Sequence, residues 1–121
     1  MINLITQPDP KTGCGVAIYA MLMNISYEEA LVFAKENNFC KLNLLVTIKQ
    51  MKEALFTIVN KNVKSKNVLL WNESENYVCF CRYDNSPTKH WILYYDGVFY
   101  DPLLKNTKKW PLCEVIRIIE I

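Results

Sequence analysis

The first half of the chain carries its apolar residues at helical spacing, and the second half carries them in short strand-like runs. Val16 to Met23 is continuously apolar and free of proline. Such a run fits a buried helix, with a buried strand as the competing reading on pattern alone. Asn24 is expected to end it. Ser26-Tyr-Glu-Glu29 then has the form of a capping box, a serine hydroxyl for the orphan amides and a glutamate three residues on. It introduces Ala30, Leu31, Phe33 and Ala34 at helical spacing. Thr47-Ile-Lys-Gln50 repeats the device and predicts a third helix through about Val59, lined on one side by Ile48, Met51, Leu55 and Ile58 or Val59.

After that the period changes. Val68 to Trp71, Tyr77 to Tyr83, His90 to Tyr95, Val98 to Asp101 and Val115 to Ile121 are β-branched or aromatic runs, separated by turn residues at Asn72 to Asn76, Asp84 to Pro87 and Asp96-Gly97. Helices followed by strands predict an α+β fold, a helical half packed on a C-terminal antiparallel sheet, and do not suggest repeated βαβ units. At 121 residues the chain has room for one ordinary core, so residues 1–121 are expected to form a single domain.

Asp96-Gly97 between apolar runs is a strong short hairpin signal, a two-residue loop of the I′ type. Such a loop pairs Tyr95 with Val98, Tyr94 with Phe99, Leu93 with Tyr100 and Ile92 with Asp101. Side chains alternate along a strand, so His90, Ile92 and Tyr94 share a face with Phe99 and Asp101. His90 and Asp101 become diagonal neighbours, about 7–8 Å apart at the backbone, with side chains able to close the gap.

Composition narrows the chemistry. Residues are 51% hydrophobic and 21% charged, which argues against a disordered chain. A net charge of +2 is too small to imply nucleic acid or an anionic membrane. The lysine clusters at Lys61, Lys64 and Lys66 and at Lys105, Lys108 and Lys109 lack the interleaved aromatics that stack bases, and read as solvated loop faces. No secretory signal is visible and no apolar run approaches the ~18 residues of a membrane span. Five cysteines at irregular spacing argue against a disulfide framework, so a reducing, cytoplasmic location is expected. Cys79 and Cys81 read as small hydrophobes on one strand face, and one histidine is a poor complement for zinc, so neither metal nor cofactor is expected.

Cys14 is the conspicuous exception. It sits between Gly13 and Gly15, two of only three glycines, where the first helix begins. A buried structural thiol is one reading of it. A reactive one is the other: the unsatisfied amides and positive dipole end of a helix start favour a thiolate. The flanking glycines let the backbone turn sharply and leave a substrate carbonyl room to approach. The Cys14 amide is then a natural oxyanion donor, and the side-chain amide of Gln7, upstream on a proline-stiffened segment, can supply a second. A base oriented by a third group is what such a nucleophile requires, and His90 with Asp101 has that form. Each residue alone also has an ordinary structural reading; the combination is harder to dismiss.

With these residues together, the sequence resembles the papain-like cysteine peptidases, and within them the bacteriocin-processing, double-glycine leader peptidases and their stand-alone relatives. Cys14-Gly-Val-Ala17 through Ala20-Met21, His90-Trp-Ile-Leu93 and Tyr100-Asp-Pro102 carry the resemblance. It implies a papain-like fold with Cys14 as nucleophile, His90 as base, Asp101 as its orienting partner and Gln7 in the oxyanion hole. Gly13, Gly15 and Trp91 would border bound substrate, a peptide or protein. The same constellation also serves acyl transfer and deamidation, and a non-catalytic peptide-binding module of this fold is the alternative from another class.

Overall fold

The computed structural model describes residues 2–83 and 89–121; the turn expected at Asp84 to Pro87 lies outside them. Within the described residues the chain forms α1 (Cys14–Met23), α2 (Tyr27–Glu36) and α3 (Ile48–Val59), followed by β1 (Ser65–Asn67), β2 (Tyr77–Arg82), β3 (Lys89–Tyr95), β4 (Val98–Tyr100) and β5 (Glu114–Glu120). The fold is α+β, and the five strands form one antiparallel sheet in the order β1-β5-β2-β3-β4.

Both predicted capping boxes are made. Ser26 Oγ accepts from Glu29 N at 3.1 Å while Glu29 Oε1 accepts from Ser26 N at 3.1 Å. Thr47 and Gln50 repeat the exchange at 3.0 and 3.1 Å. Each box satisfies two donors that a helix start otherwise leaves orphaned. The ambiguity over Val16 to Met23 resolves as helix. α1 is apolar on all sides because it is enclosed: α2, α3 and β3 pack around it, and Val16 to Ala20 have no accessible surface. Asn24 ends it in the left-handed region, at φ 56°. No helix in the described residues is long and apolar enough to cross a membrane.

The sheet has two buried faces. Val78, Trp91, Leu93 and Ile119 face the helices, while Tyr77, Cys79, Cys81, Ile92, Tyr94, Phe99 and Ile118 form a second cluster behind. Trp71 closes that second layer, stacking on Tyr77 with ring centroids 4.6 Å apart and lying 4.5 Å from Tyr94. The run Val68 to Trp71, expected as a strand, is a 3₁₀ turn over Val68–Leu70 instead, and the strand in this region is Ser65–Asn67. Two features explain the difference. Asn67 Oδ1 accepts from Leu69 N at 2.9 Å, a local bond that competes with a sheet ladder. Val68 and Trp71 pack against the second layer while Leu69 and Leu70 between them are exposed, a spacing of three that suits a 3₁₀ turn and not the alternation of a strand.

The β3–β4 hairpin has the predicted register, Tyr95 with Val98, Tyr94 with Phe99 and Leu93 with Tyr100. Asp96 and Gly97 both have positive φ, 49° and 83°, as a type I′ turn requires. β4 ends at Tyr100, so Asp101 leaves the ladder just where β3 continues back toward Lys89.

Candidate active site

The chain's only histidine and Asp101 meet at the open end of this hairpin. His90 Nε2 lies 2.6 Å from Asp101 Oδ1, and both side chains are buried, at 6% and 4% exposure. Asp101 is held from three sides: Oδ1 also accepts from Leu103 N at 2.9 Å, and Oδ2 accepts from the Tyr83 hydroxyl at 3.1 Å. Because Nε2 is engaged by Asp101, Nδ1 is the ring nitrogen left free, and Cys14 Sγ, which accepts from the amide of the next residue, Trp91, sits close enough to raise the pKa of the imidazole.

Cys14 reaches this point from the helical side of the sheet. Leu93 and Tyr95 pair with Tyr100 and Val98, and alternation directs the Trp91 N–H to the same edge of β3, beyond the end of β4. There it donates to Cys14 Sγ at 3.3 Å. The neighbouring carbonyl of Pro102 accepts from Gln7 N at 2.9 Å. The Gln7–Cys14 segment thus wedges between β3 and the chain leaving β4. Gly13 caps α1 with φ 94°, and the first helical bond runs from Ala17 N to Gly13 O at 3.0 Å. The amides of Cys14, Gly15 and Val16 therefore have no helical carbonyl to serve.

Burial lowers the proton affinity of His90, but its hydrogen bonds to Asp101 and Cys14 outweigh that and raise its pKa to about 9. Burial pushes Asp101 up, and the hydrogen bond and charge of His90, the Leu103 amide and the Tyr83 hydroxyl together hold it below its ordinary value. Tyr83 itself is pushed up by burial and then by Asp101, which keeps its hydroxyl a donor. The pair is accordingly an imidazolium and a carboxylate at neutral pH.

The structure brings Cys14, His90, Asp101 and Trp91 together and gives Gln7, Gly13 and Gly15 different surroundings from those expected. Gln7 Nε2 donates to Asp9 O at 2.7 Å and to Thr12 O at 3.0 Å, so both amide hydrogens serve the loop that delivers Cys14. In this arrangement neither remains for an oxyanion, while Gln7 Oε1 is buried without a partner. A Cβ on Gly13 would collide with the Tyr27 hydroxyl, and one on Gly15 with Val46 Cγ2. Both glycines are buried against protein walls. They permit close packing and, at Gly13, a left-handed cap; the space they leave is filled by Tyr27 and Val46, not open to a substrate.

Tyr83 is the residue the sequence reading passed over. Its ring lies 5.3 Å from the His90 ring and its hydroxyl holds Asp101. The signal is its place two residues after Cys81, which pairs directly with His90. That register depends on a long β2–β3 connection, which no short turn motif specifies.

The other cysteines are all buried and free. Burial raises Cys40 and Cys79. Cys81 and Cys113 share a hydrogen bond that raises the first and lowers the second. No group of three or more metal-ligating side chains occurs among the described residues. The chain matches no protein-family model and no curated protein.

Proposed function

We propose that the protein is a cysteine peptidase with a papain-like fold, hydrolysing a peptide or related amide bond through Cys14, His90 and Asp101. The observation that carries this reading is the convergence of three residues from distant parts of the chain. Cys14 at a helix start lies against the ring of His90, and His90 is held at 2.6 Å by a buried carboxylate. A structural cysteine requires neither the helix terminus nor an oriented imidazolium beside it.

The chemistry follows from the geometry. Cys14 sulfur, its proton on His90, attacks the carbonyl carbon to form a C–S bond. The carbonyl oxygen becomes an oxyanion, stabilised by the unengaged backbone amide of Cys14 at the start of α1. The imidazolium gives its proton to the leaving nitrogen as the C–N bond breaks, leaving a thioester. His90 then takes a proton from water, whose oxygen attacks the thioester and releases the acid and the thiolate. Asp101 stays ionised throughout and fixes the ring so that Nδ1 faces sulfur. Gln7 contributes by shaping the loop from Asp9 to Thr12.

A thiol-directed probe followed by intact-protein and peptide mass spectrometry tests this. Labelling of Cys14 ahead of the other four cysteines, and its loss of preference in His90→Ala, is the expected result. Labelling spread over the cysteines without regard to His90 overturns it.

A further inference from the structure

Beside Cys14 the surface opens into a cleft of about 430 Å3. Leu45 and Val46 form one wall, Phe80 and Trp91 the other, and the exposed lysines Lys41 and Lys89 complete the lining. Its apolar part is built rigidly. Trp91 Nε1 donates to Val46 O at 2.9 Å, which fastens one wall to the other, and Phe80 packs on the Trp91 ring with centroids 4.6 Å apart. Gly15 lets α1 approach Val46 closely enough to close the cleft behind Cys14. Both charged side chains in the lining are cationic, and no carboxylate appears there among the described residues.

We infer that this cleft is a substrate subsite selecting an acidic peptide segment that presents one large apolar side chain beside the bond to be cut. The inference rests on the peptidase reading, since continuity with Cys14 is what makes the occupant a substrate. A preformed apolar cavity rewards a side chain that fills it and gives nothing to glycine. Lysines at a cleft mouth favour carboxylates on the residues either side and disfavour lysines there, an effect that salt weakens.

The test separates binding from cleavage. Three capped peptide amides of equal length are titrated into ¹⁵N-labelled Cys14→Ala protein at low salt. One carries leucine between two glutamates, one leucine between two lysines, one glycine between two glutamates. The Glu-Leu-Glu peptide should bind about 10-fold or more tighter than Glu-Gly-Glu. It should bind several-fold tighter than Lys-Leu-Lys, with shifts centred on the Trp91 indole. Lys41→Gln/Lys89→Gln should erase the charge preference and keep the leucine preference. Equal binding of the glycine peptide, indifference to charge, shifts elsewhere, or no binding by any peptide overturns the inference. Turnover by the unsubstituted protein is measured in parallel on the same peptides. Selective binding with no cleavage removes the peptidase reading and leaves a cleft that selects the same peptide as a bound partner. Cleavage of all three at equal rates does the reverse.

Discussion

His90 Nε2 and Asp101 Oδ1 stand 2.6 Å apart across the open end of a three-residue ladder, eleven positions apart in sequence. A tight turn makes this contact possible, and the end of β4 at Tyr100 frees Asp101 to swing toward the imidazole. The pair is then buried beneath Tyr83 and completed by Cys14 from the opposite side of the sheet. Its ionisation and its neighbours lead to five expectations.

Cys14→Ala should abolish turnover and lower stability by roughly 1–3 kcal/mol, because the buried Trp91 N–H loses its sulfur acceptor. His90→Ala should be nearly as severe, and the double variant no worse than either, since the residues act as one unit. Asp101→Asn should retain more activity than either. Single-turnover rates on a cleaved peptide check the order.

Stability should fall as pH rises above about 6.5 in Cys14→Ala, where no thiol can hand its proton to the imidazole. His90 is raised to about 9 in the folded protein, from an ordinary 6.5, by its hydrogen bonds to Asp101 and Cys14, and Asp101 alone should hold part of that rise. Below 6.5 both folded and unfolded chains hold the His90 proton and the full stabilisation is present. Above it the unfolded chain releases the proton first, so stability is lost progressively, by less than the roughly 3 kcal/mol of the full rise. Urea midpoints measured across this window should flatten in the Cys14→Ala/His90→Gln double variant. A flat profile for Cys14→Ala would remove the buried imidazolium–carboxylate pair from the account.

Tyr83→Phe should raise the pKa of Asp101, because one of the donors holding the carboxylate ionised disappears. The single histidine makes this visible directly: the low-pH inflection in the His90 ring resonances should move upward. A stability cost of about 1–2 kcal/mol should accompany it. An unmoved inflection would mean that Tyr83 only fills space.

Gly13→Ala and Gly15→Ala should destabilise for different reasons. At Gly13 the side chain meets φ 94° and the Tyr27 hydroxyl. At Gly15 it meets Val46, in a wall that Trp91 pins in place. Each should cost roughly 1–3 kcal/mol. Tyr27→Phe should rescue part of the first, because it removes the oxygen that the new methyl strikes, and should leave the second unchanged.

Gln7→Glu should place a carboxylate against the carbonyls of Asp9 and Thr12, which can only accept. The expected loss is roughly 1–3 kcal/mol, with a loosened loop before Cys14. If stability is untouched and only turnover falls, Gln7 acts on the substrate and not on the loop.

The local elements were legible from local chemistry. Two S/T-x-x-E/Q boxes marked the starts of α2 and α3, since capping is settled by residues three apart. Asp96-Gly97 set the β3–β4 register, and with it the His90–Asp101 pair, because a two-residue turn leaves its flanking strands one pairing. The apolar strands β2 and β5 were likewise readable, while β1, only three polar residues long, carried no periodic signal. Distance along the chain is where this reading ended. The Cys14 segment enters beside Trp91 only because β4 stops early. Gln7 turns its amide to the carbonyls of Asp9 and Thr12, and Gly13 and Gly15 are filled by Tyr27 and Val46, contacts that depend on how α1 is pressed between other helices and the sheet. Tyr83 meets Asp101 through a β2–β3 pairing that no turn motif announces. Short-range hydrogen bonding and turn geometry were therefore written in the sequence itself, and the packing of remote segments around one buried charge pair was decided only when the chain closed on itself.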